Sequence, residues 1–266
     1  MIIRHDLELV FIHVPKCAGK QLRWIFKQGA EPNAIEELWN YEYSTILNRY
    51  VDLAHLPLSD LRTFAQFKYL NRYKVIACIR EPYMRLPSAV NEYYRQKSKQ
   101  HEKMVTERKL NIEMRRDYYK RLKSKHSELD PRFIHSLPIH RFTHYGPNAK
   151  VDYLLRCESL NKDIEELAKK LKWPKALQNA IQMKSKDLET KKSSIRLTDE
   201  EIELAERIYE IDFETFGYKR CMPGRRKEKC GEAGEVKHIH DCDSVSWHWG
   251  PKAKKPFKKL KANRKA

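Results

Sequence analysis

The stretch that decides the fold is FIHVPKCAGKQLRWIF, residues 11–26. Its first residues continue the apolar run ELVFIHV (8–14), which has the length and continuity of a strand buried on both faces. Pro15 and Gly19 then punctuate a tight turn. From Gly19 the pattern becomes that of an amphipathic helix over 19–28, with Leu22, Ile25 and Phe26 on one face. This places the free N–H donors and partial positive charge of a helix N-terminus beside Lys16 and Lys20, a site for an anion. It is not the G-x-x-x-x-G-K-[ST] loop of ATP and GTP enzymes.

Working outward, a second apolar strand, YKVIACI (73–79), runs directly into REPYMRLPSAV, a turn opening a helix. Arg80 stands at the strand tip, where its planar fork suits a phosphate. Ser88 follows eight residues later, early in the helix, with a free hydroxyl. Two strand-tip anion loops in one sheet fit one molecule with phosphate groups at two separate ends. A third strand is expected at 151–156, followed by the amphipathic helix NKDIEELAKKL. LTDEEIELAERIYEIDFETFGY reads as one long helix. Thr198 caps it, Glu201 completes a capping box, Ile202, Ala205, Ile208 and Tyr209 form its stripe, and Gly217 ends it. Buried strands separated by helices predict an α/β fold with a parallel sheet covered on both faces.

The other segments are read less directly from pattern. Residues 34–50 are expected to be helical, with Ile35, Leu38, Ile46 and Leu47 inward, and 51–54 to form a short strand. Ser59 is the expected N-cap of a short helix. Residues 91–128 are so charged that they predict exposed helices or a mobile lid with no packed core. Residues 184–196 read as a Lys-rich loop. From 221 to 266 the chain loses its apolar period and reads as a basic tail carrying Cys221, Cys230, His238, His240 and Cys242. It lacks a C-x-x-C pair, so a disordered polycation that contacts acidic surfaces is expected in preference to a zinc site.

Of the 266 residues, 41% are apolar and 34% charged, and the formal net charge is +18. The chain can build a substantial core, and its charge predicts an anionic partner. No apolar run reaches the ~20 residues of a membrane span. The opening MIIRHDLELVFIHV reads as a strand and not as a signal peptide. If Met1 is the natural start, a cytoplasmic protein is expected; otherwise, a trimmed membrane-anchored enzyme. Cys17, Cys78 and Cys157 lie in or beside apolar runs and predict buried thiols in a reducing compartment.

These motifs match a family. PKCAGKQL (15–22) resembles the 5′-phosphosulfate loop of sulfotransferases, of the form PKTAGTSL, and REPYMRLPSAV (80–90) resembles their 3′-phosphate loop, RDPYERLVSAY. LAHLPLSDL (53–61) looks like the G-H-x-P segment of the carbohydrate sulfotransferase branch, family 2-like. VDYLLRCESLNKDIEEL (151–167) and the helix at 197–218 are similar to that branch's later motifs. The resemblance covers residues 1–220. It implies a P-loop-kinase-like three-layer α/β domain with a central parallel sheet and helices on both faces. The implied cofactor is 3′-phosphoadenosine 5′-phosphosulfate (PAPS). Lys16 and the backbone at Ala18, Gly19, Lys20 and Gln21 would hold its 5′-phosphosulfate; Arg80 and Ser88 would hold its 3′-phosphate. Lys20 and Gln21 stand where the family has Ser or Thr hydroxyls.

The implied reaction is in-line sulfuryl transfer to an acceptor hydroxyl, most simply on a carbohydrate, needing charge neutralisation and a base but no metal. Lys16 is the expected stabiliser of the breaking bond. His55 is the expected base, because a histidine near its intrinsic pKa can both take and hold a proton. Glu37 and Glu42 are weaker alternatives, and His13 reads as structural. His140 and His144 are candidates for the acceptor cleft. Lys184, Lys186, Lys191, Lys192 and Arg196 lie in a region that often closes over the cofactor in this family. A protein tyrosine or small molecule is an alternative acceptor. A nucleic-acid-binding protein is suggested by the charge and interleaved tyrosines of 93–121, but it leaves the two loops unexplained; an inactive nucleotide-binding module is suggested by Lys20 and Gln21.

Overall fold

A computed structural model describes residues 1–106, 110–122, 130–188 and 197–221. In chain order its strands and helices begin with β1 (Ile2–Arg4), β2 (Leu9–Ile12), α1 (Gly19–Lys27) and β3 (Ile35–Glu37). There follow β4 (Tyr41–Ser44), β5 (Arg49–Asp52), α2 (Leu58–Leu61), β6 (Lys74–Ile79), α3 (Pro82–Lys97), α4 (Lys99–Thr106) and α5 (Ile112–Leu122). The remainder are α6 (His140–Thr143), β7 (His144–Tyr145), β8 (Asn148–Ala149), β9 (Tyr153–Arg156), α7 (Leu160–Lys170), α8 (Lys175–Leu188), α9 (Asp199–Ile208) and α10 (Glu210–Phe216).

The central sheet has the order β3-β1-β2-β6-β9. β2, β6 and β9 are parallel, in register from Leu9↔Lys74 to Ile12↔Ala77 and from Ile76↔Tyr153 to Ile79↔Arg156. The α/β fold with a mostly parallel sheet flanked by helices is thus as the sequence predicts. The opening run, however, is two strands: β1 folds back antiparallel on β2, with β3 antiparallel beside it. The reason is the short connection. Four residues, His5 to Glu8, the last with a left-handed φ of 47°, can reverse a chain but cannot make the long crossover that a parallel pair needs. Val10, Phe11, Val75, Ile76, Ala77 and Leu155 are fully buried in this sheet. The stripe Leu22, Ile25 and Phe26 of α1 packs into the same core as α7 and α8.

Four other expectations are corrected. Residues 34–50 are not helical but form β3 and an antiparallel hairpin of β4 and β5. Asn40 and Asn48 take left-handed φ values of 80° and 49°, and the Tyr-rich runs beside them favour strand. Ser59 lies inside α2, whose N-cap is Pro57. The described part of 91–128 is largely helical, as expected, in the end of α3, α4 and α5, but it contributes to a core: Tyr93, Tyr94, Tyr118 and Tyr119 pack with Leu86, Phe133, Leu204 and Tyr209. Exposed charges such as Lys103, Arg116 and Arg121 lie on other helix faces, so a polar composition conceals an aromatic inner one. The long closing helix is broken at Tyr209 into α9 and α10.

The capping box of Thr198 and Glu201 is present, and Gly217 ends α10 with a left-handed φ of 68°. Residues 184–188 belong to α8 and are not loop. Lys191, Lys192, Arg196 and the tail with Cys230, His238, His240 and Cys242 lie outside the described residues. Among the described residues, no helix is long and apolar enough to cross a membrane.

Candidate active site

The loop between β2 and α1 is built under strain. Lys16 (φ 65°) and Ala18 (φ 54°) both adopt the left-handed conformation that side chains with a Cβ disfavour. Two arginines from the β6–α3 corner hold it. The fully buried Arg85 donates from Nε to the Pro15 carbonyl at 3.1 Å, and Arg80 donates from Nη1 to the Lys16 carbonyl at 3.3 Å. The helical ladder begins with Leu22 N–H donating to Ala18 O at 3.2 Å, so the N–H groups of 19–21 have no acceptor within the helix. Gly19 is required for a steric reason: a Cβ there would lie 1.7 Å from Nε2 of His13.

These residues open onto a cavity of about 620 Å³. Lys16, Ala18, Gly19, Lys20 and Gln21 form one side, and Arg80, Ser88 and His55 also line it. The eight positions expected to bind the cofactor or act in catalysis therefore share one space. Arg80 Nε is buried without a hydrogen-bond partner in this cavity wall. A bound anion's oxygens would satisfy it, which fits a phosphate-bearing cofactor.

The charge at the loop is balanced from α3. Lys16 Nζ lies 2.7 Å from Glu92 Oε2, and Arg95 Nη1 lies 2.5 Å from the same oxygen. Burial lowers the Lys16 pKa below its ordinary value against the opposing pull of Glu92. Burial alone would raise the Glu92 carboxyl, but Lys16 and Arg95 bring it down to about 2. The two shifts differ in what they favour for Lys16. The short contact and the second cation at Glu92 support an ion pair.

Three histidines, His13, His55 and His135, line the same cavity. The His55 ring lies 4.3 Å from that of His13 and 5.2 Å from that of His135. His55 Nδ1 lies 3.0 Å from the His13 carbonyl. A carbonyl only accepts, so Nδ1 carries the hydrogen and Nε2 keeps its lone pair. Burial pushes His55 and His13 well below the usual histidine range, and His135 down to about 4. All three are neutral at neutral pH. Burial raises the nearby Asp52 carboxyl to about 6. Asp52, His55 and His135 present ligand-type atoms within 4.8 Å of one another, a set able to relay a proton or ligate a cation.

The other candidates lie elsewhere. His140 and His144 stack on each other at 4.3 Å, with His144 against Phe216, and neither lines the cavity. Glu37 is engaged by Arg23 and Lys27, and Glu42 is exposed on β4. Lys184 sits over the Trp24 ring at 5.1 Å, and the side chain of Lys186 is outside the described residues. Cys17, Cys78 and Cys157 are buried, with the last two sulfurs 3.6 Å apart. Cys221 is partly buried, its N–H donating to Tyr83 Oη.

Sequence reasoning missed Arg85, Glu92, Arg95 and His135; His13, read as structural, is buried and contributes its backbone carbonyl. A signal existed for Glu92 and Arg95. They lie four and seven residues beyond Ser88, on one face of α3. The model of a family described as "Sulfotransferase family" matches residues 1–219. No curated protein and no solved structure matches the chain.

Proposed function

This chain belongs to the sulfotransferase family, and we propose that it moves a sulfuryl group from PAPS to a hydroxyl of a carbohydrate acceptor. The observation that carries this is the convergence of the Lys16–Gln21 loop and the Arg80–Ser88 corner on one cavity, with the His55 lone pair in the same space.

In this reading the free N–H groups of 19–21 and Lys16 hold the 5′-phosphosulfate, and Arg80 and Ser88 hold the 3′-phosphate. Arg80 thereby has two tasks, since it also fixes the Lys16 carbonyl. Lys20 and Gln21 bring donors where the family has hydroxyls. PAPS supplies the sulfuryl group and a phosphate leaving group on which negative charge accumulates as the S–O bond breaks. Lys16 neutralises that charge after leaving Glu92, which keeps Arg95 as its partner. His55 Nε2 takes the proton of the acceptor hydroxyl, and the His13 carbonyl keeps Nδ1–H in the tautomer this requires. A positioned base of this kind is worth roughly 10²–10⁴-fold.

A transfer assay with ³⁵S-labelled PAPS against oligosaccharides, tyrosine peptides and small phenols tests this. Labelled oligosaccharide is expected. Label on peptides or phenols alone contradicts the acceptor class, and no labelled product contradicts the transfer itself.

A further inference from the structure

The site as described has a donor end and a base but no surface to orient the acceptor. One lies beside it. Among the described residues, seven large apolar side chains are exposed, and five of them, Trp39, Tyr41, Tyr43, Ile46 and Tyr50, fall within 39–50. Such a concentration marks a contact surface and is unlike the single exposed apolar residues found on any protein.

Strand alternation gives the hairpin two faces. Tyr43 pairs with Tyr50 and Tyr41 pairs with Asp52, so these four side chains share one face. Val51 and Ser44 turn inward on the other, at 2% and 9% exposure. The Tyr43 and Tyr50 rings meet edge to face, 5.3 Å apart. Tyr41 and Asp52 line the cavity that also holds His55. A row of phenol rings therefore leads from solvent to the base.

We infer that this face of the β4–β5 hairpin is the acceptor subsite, a stacking strip for the rings of an oligosaccharide; the inference rests on the carbohydrate reading above. A pyranose has an apolar C–H face that lies well on the electron-rich face of an aromatic ring, and hydroxyl edges that phenol groups can bond. The two rows of the strip are about 7 Å apart along the strand, within the span of two linked sugar rings. Tyrosines hold such a ligand at low entropic cost, because they have only two side-chain torsions. The hairpin's chemistry favours this occupant over a membrane or an anionic polymer. Arg49 is the cation within 39–52, and it is committed to Asp60 at 2.5 Å.

The test is an array of neutral, N-acetylated and uronate-containing tetrasaccharides, probed with the full chain in the presence of 3′-phosphoadenosine 5′-phosphate (PAP). Calorimetric titration of the tetrasaccharide that binds follows. The wild type should bind. Tyr43→Ala/Tyr50→Ala should weaken the tetrasaccharide roughly tenfold and leave PAP affinity unchanged. Tyr43→Phe/Tyr50→Phe should keep most of the binding, because the rings remain. Tyr43 and Tyr50 are half to two-thirds exposed and meet each other, so their loss spares the hairpin's inner face. The inference is overturned by a wild type that binds PAP but no tetrasaccharide, by an alanine pair that leaves affinity unchanged, or by binding of a tyrosine peptide or phosphatidylcholine vesicles instead. A wild type that binds neither PAP nor sugar overturns the sulfotransfer reading as well.

Discussion

The ammonium of Lys16 lies 2.7 Å from the carboxylate of Glu92, and Arg95 meets the same oxygen from the other side. One carboxylate on α3 thus neutralises the cation that the proposed reaction needs at the breaking bond. Lys16→Ala should lower kcat/KM by roughly 10²–10³-fold, the cost of removing one charge-stabilising donor from an active site. Glu92→Gln should do the opposite to nucleotide affinity. With two cations released, PAP should bind about fivefold more tightly in a calorimetric titration. Weaker binding by Glu92→Gln would show that the carboxylate positions Lys16 and does not compete for it.

Gly19→Ala tests the packing of the loop. The new Cβ would overlap the His13 imidazole, which is itself wedged between His55 and the loop. Overpacking of this kind costs about 2 kcal/mol. In a domain of this size that is a fall in Tm on the order of 6 °C, measured by calorimetry. Sulfuryl transfer should be lost with it, because His13 carries the carbonyl that fixes the His55 tautomer.

His55→Ala should abolish transfer while leaving PAP affinity within about twofold of wild type, since the proposed role is that of a base and not a phosphate ligand. Because burial holds His55 well below the usual histidine range, the acid limb of the pH–rate profile should fall below pH 6.5. A limb at or above 6.5, or retained turnover by the variant, removes His55 as the base.

His135 makes a prediction about stability. Its folded pKa is about 4 and its unfolded value about 6.5, so between these pH values the unfolded chain binds more protons. Stability therefore rises with pH across this window; the contribution is complete above pH 6.5 and is lost on acidification toward 4. His135→Gln should show a shallower fall in Tm between pH 6.5 and 4.5 than the wild type. Equal slopes would contradict a buried neutral His135.

What the sequence revealed followed from local geometry. The PKCAGKQL turn, the strand into Arg80 and the Thr198 cap are each set by neighbours within a few residues, and each stands where the pattern put it. The histidine wall did not show, because His13, His55 and His135 come from three distant segments whose meeting depends on sheet order. The aromatic core of 91–122 was hidden by composition: Tyr93 and Tyr118 are buried on helices whose other positions are charged. The hairpin was misread because Ile35, Leu38, Ile46 and Leu47 happen to fit a helical period, while the decisive turn residues, Asn40 and Asn48, are single positions.

The central claim is that one cavity grips a nucleotide at two charged ends, and calorimetric titration tests it most directly. PAP should bind the wild type with one-to-one stoichiometry and more tightly than adenosine 5′-phosphate, which lacks the 3′-phosphate. Arg80→Ala should weaken PAP by roughly 10–100-fold, the worth of a lost charged hydrogen-bond pair, and weaken adenosine 5′-phosphate less, since that nucleotide loses only the hold of Arg80 on the Lys16 carbonyl. No heat with PAP at saturating concentration, or equal affinity of the wild type for the two nucleotides, would contradict the account.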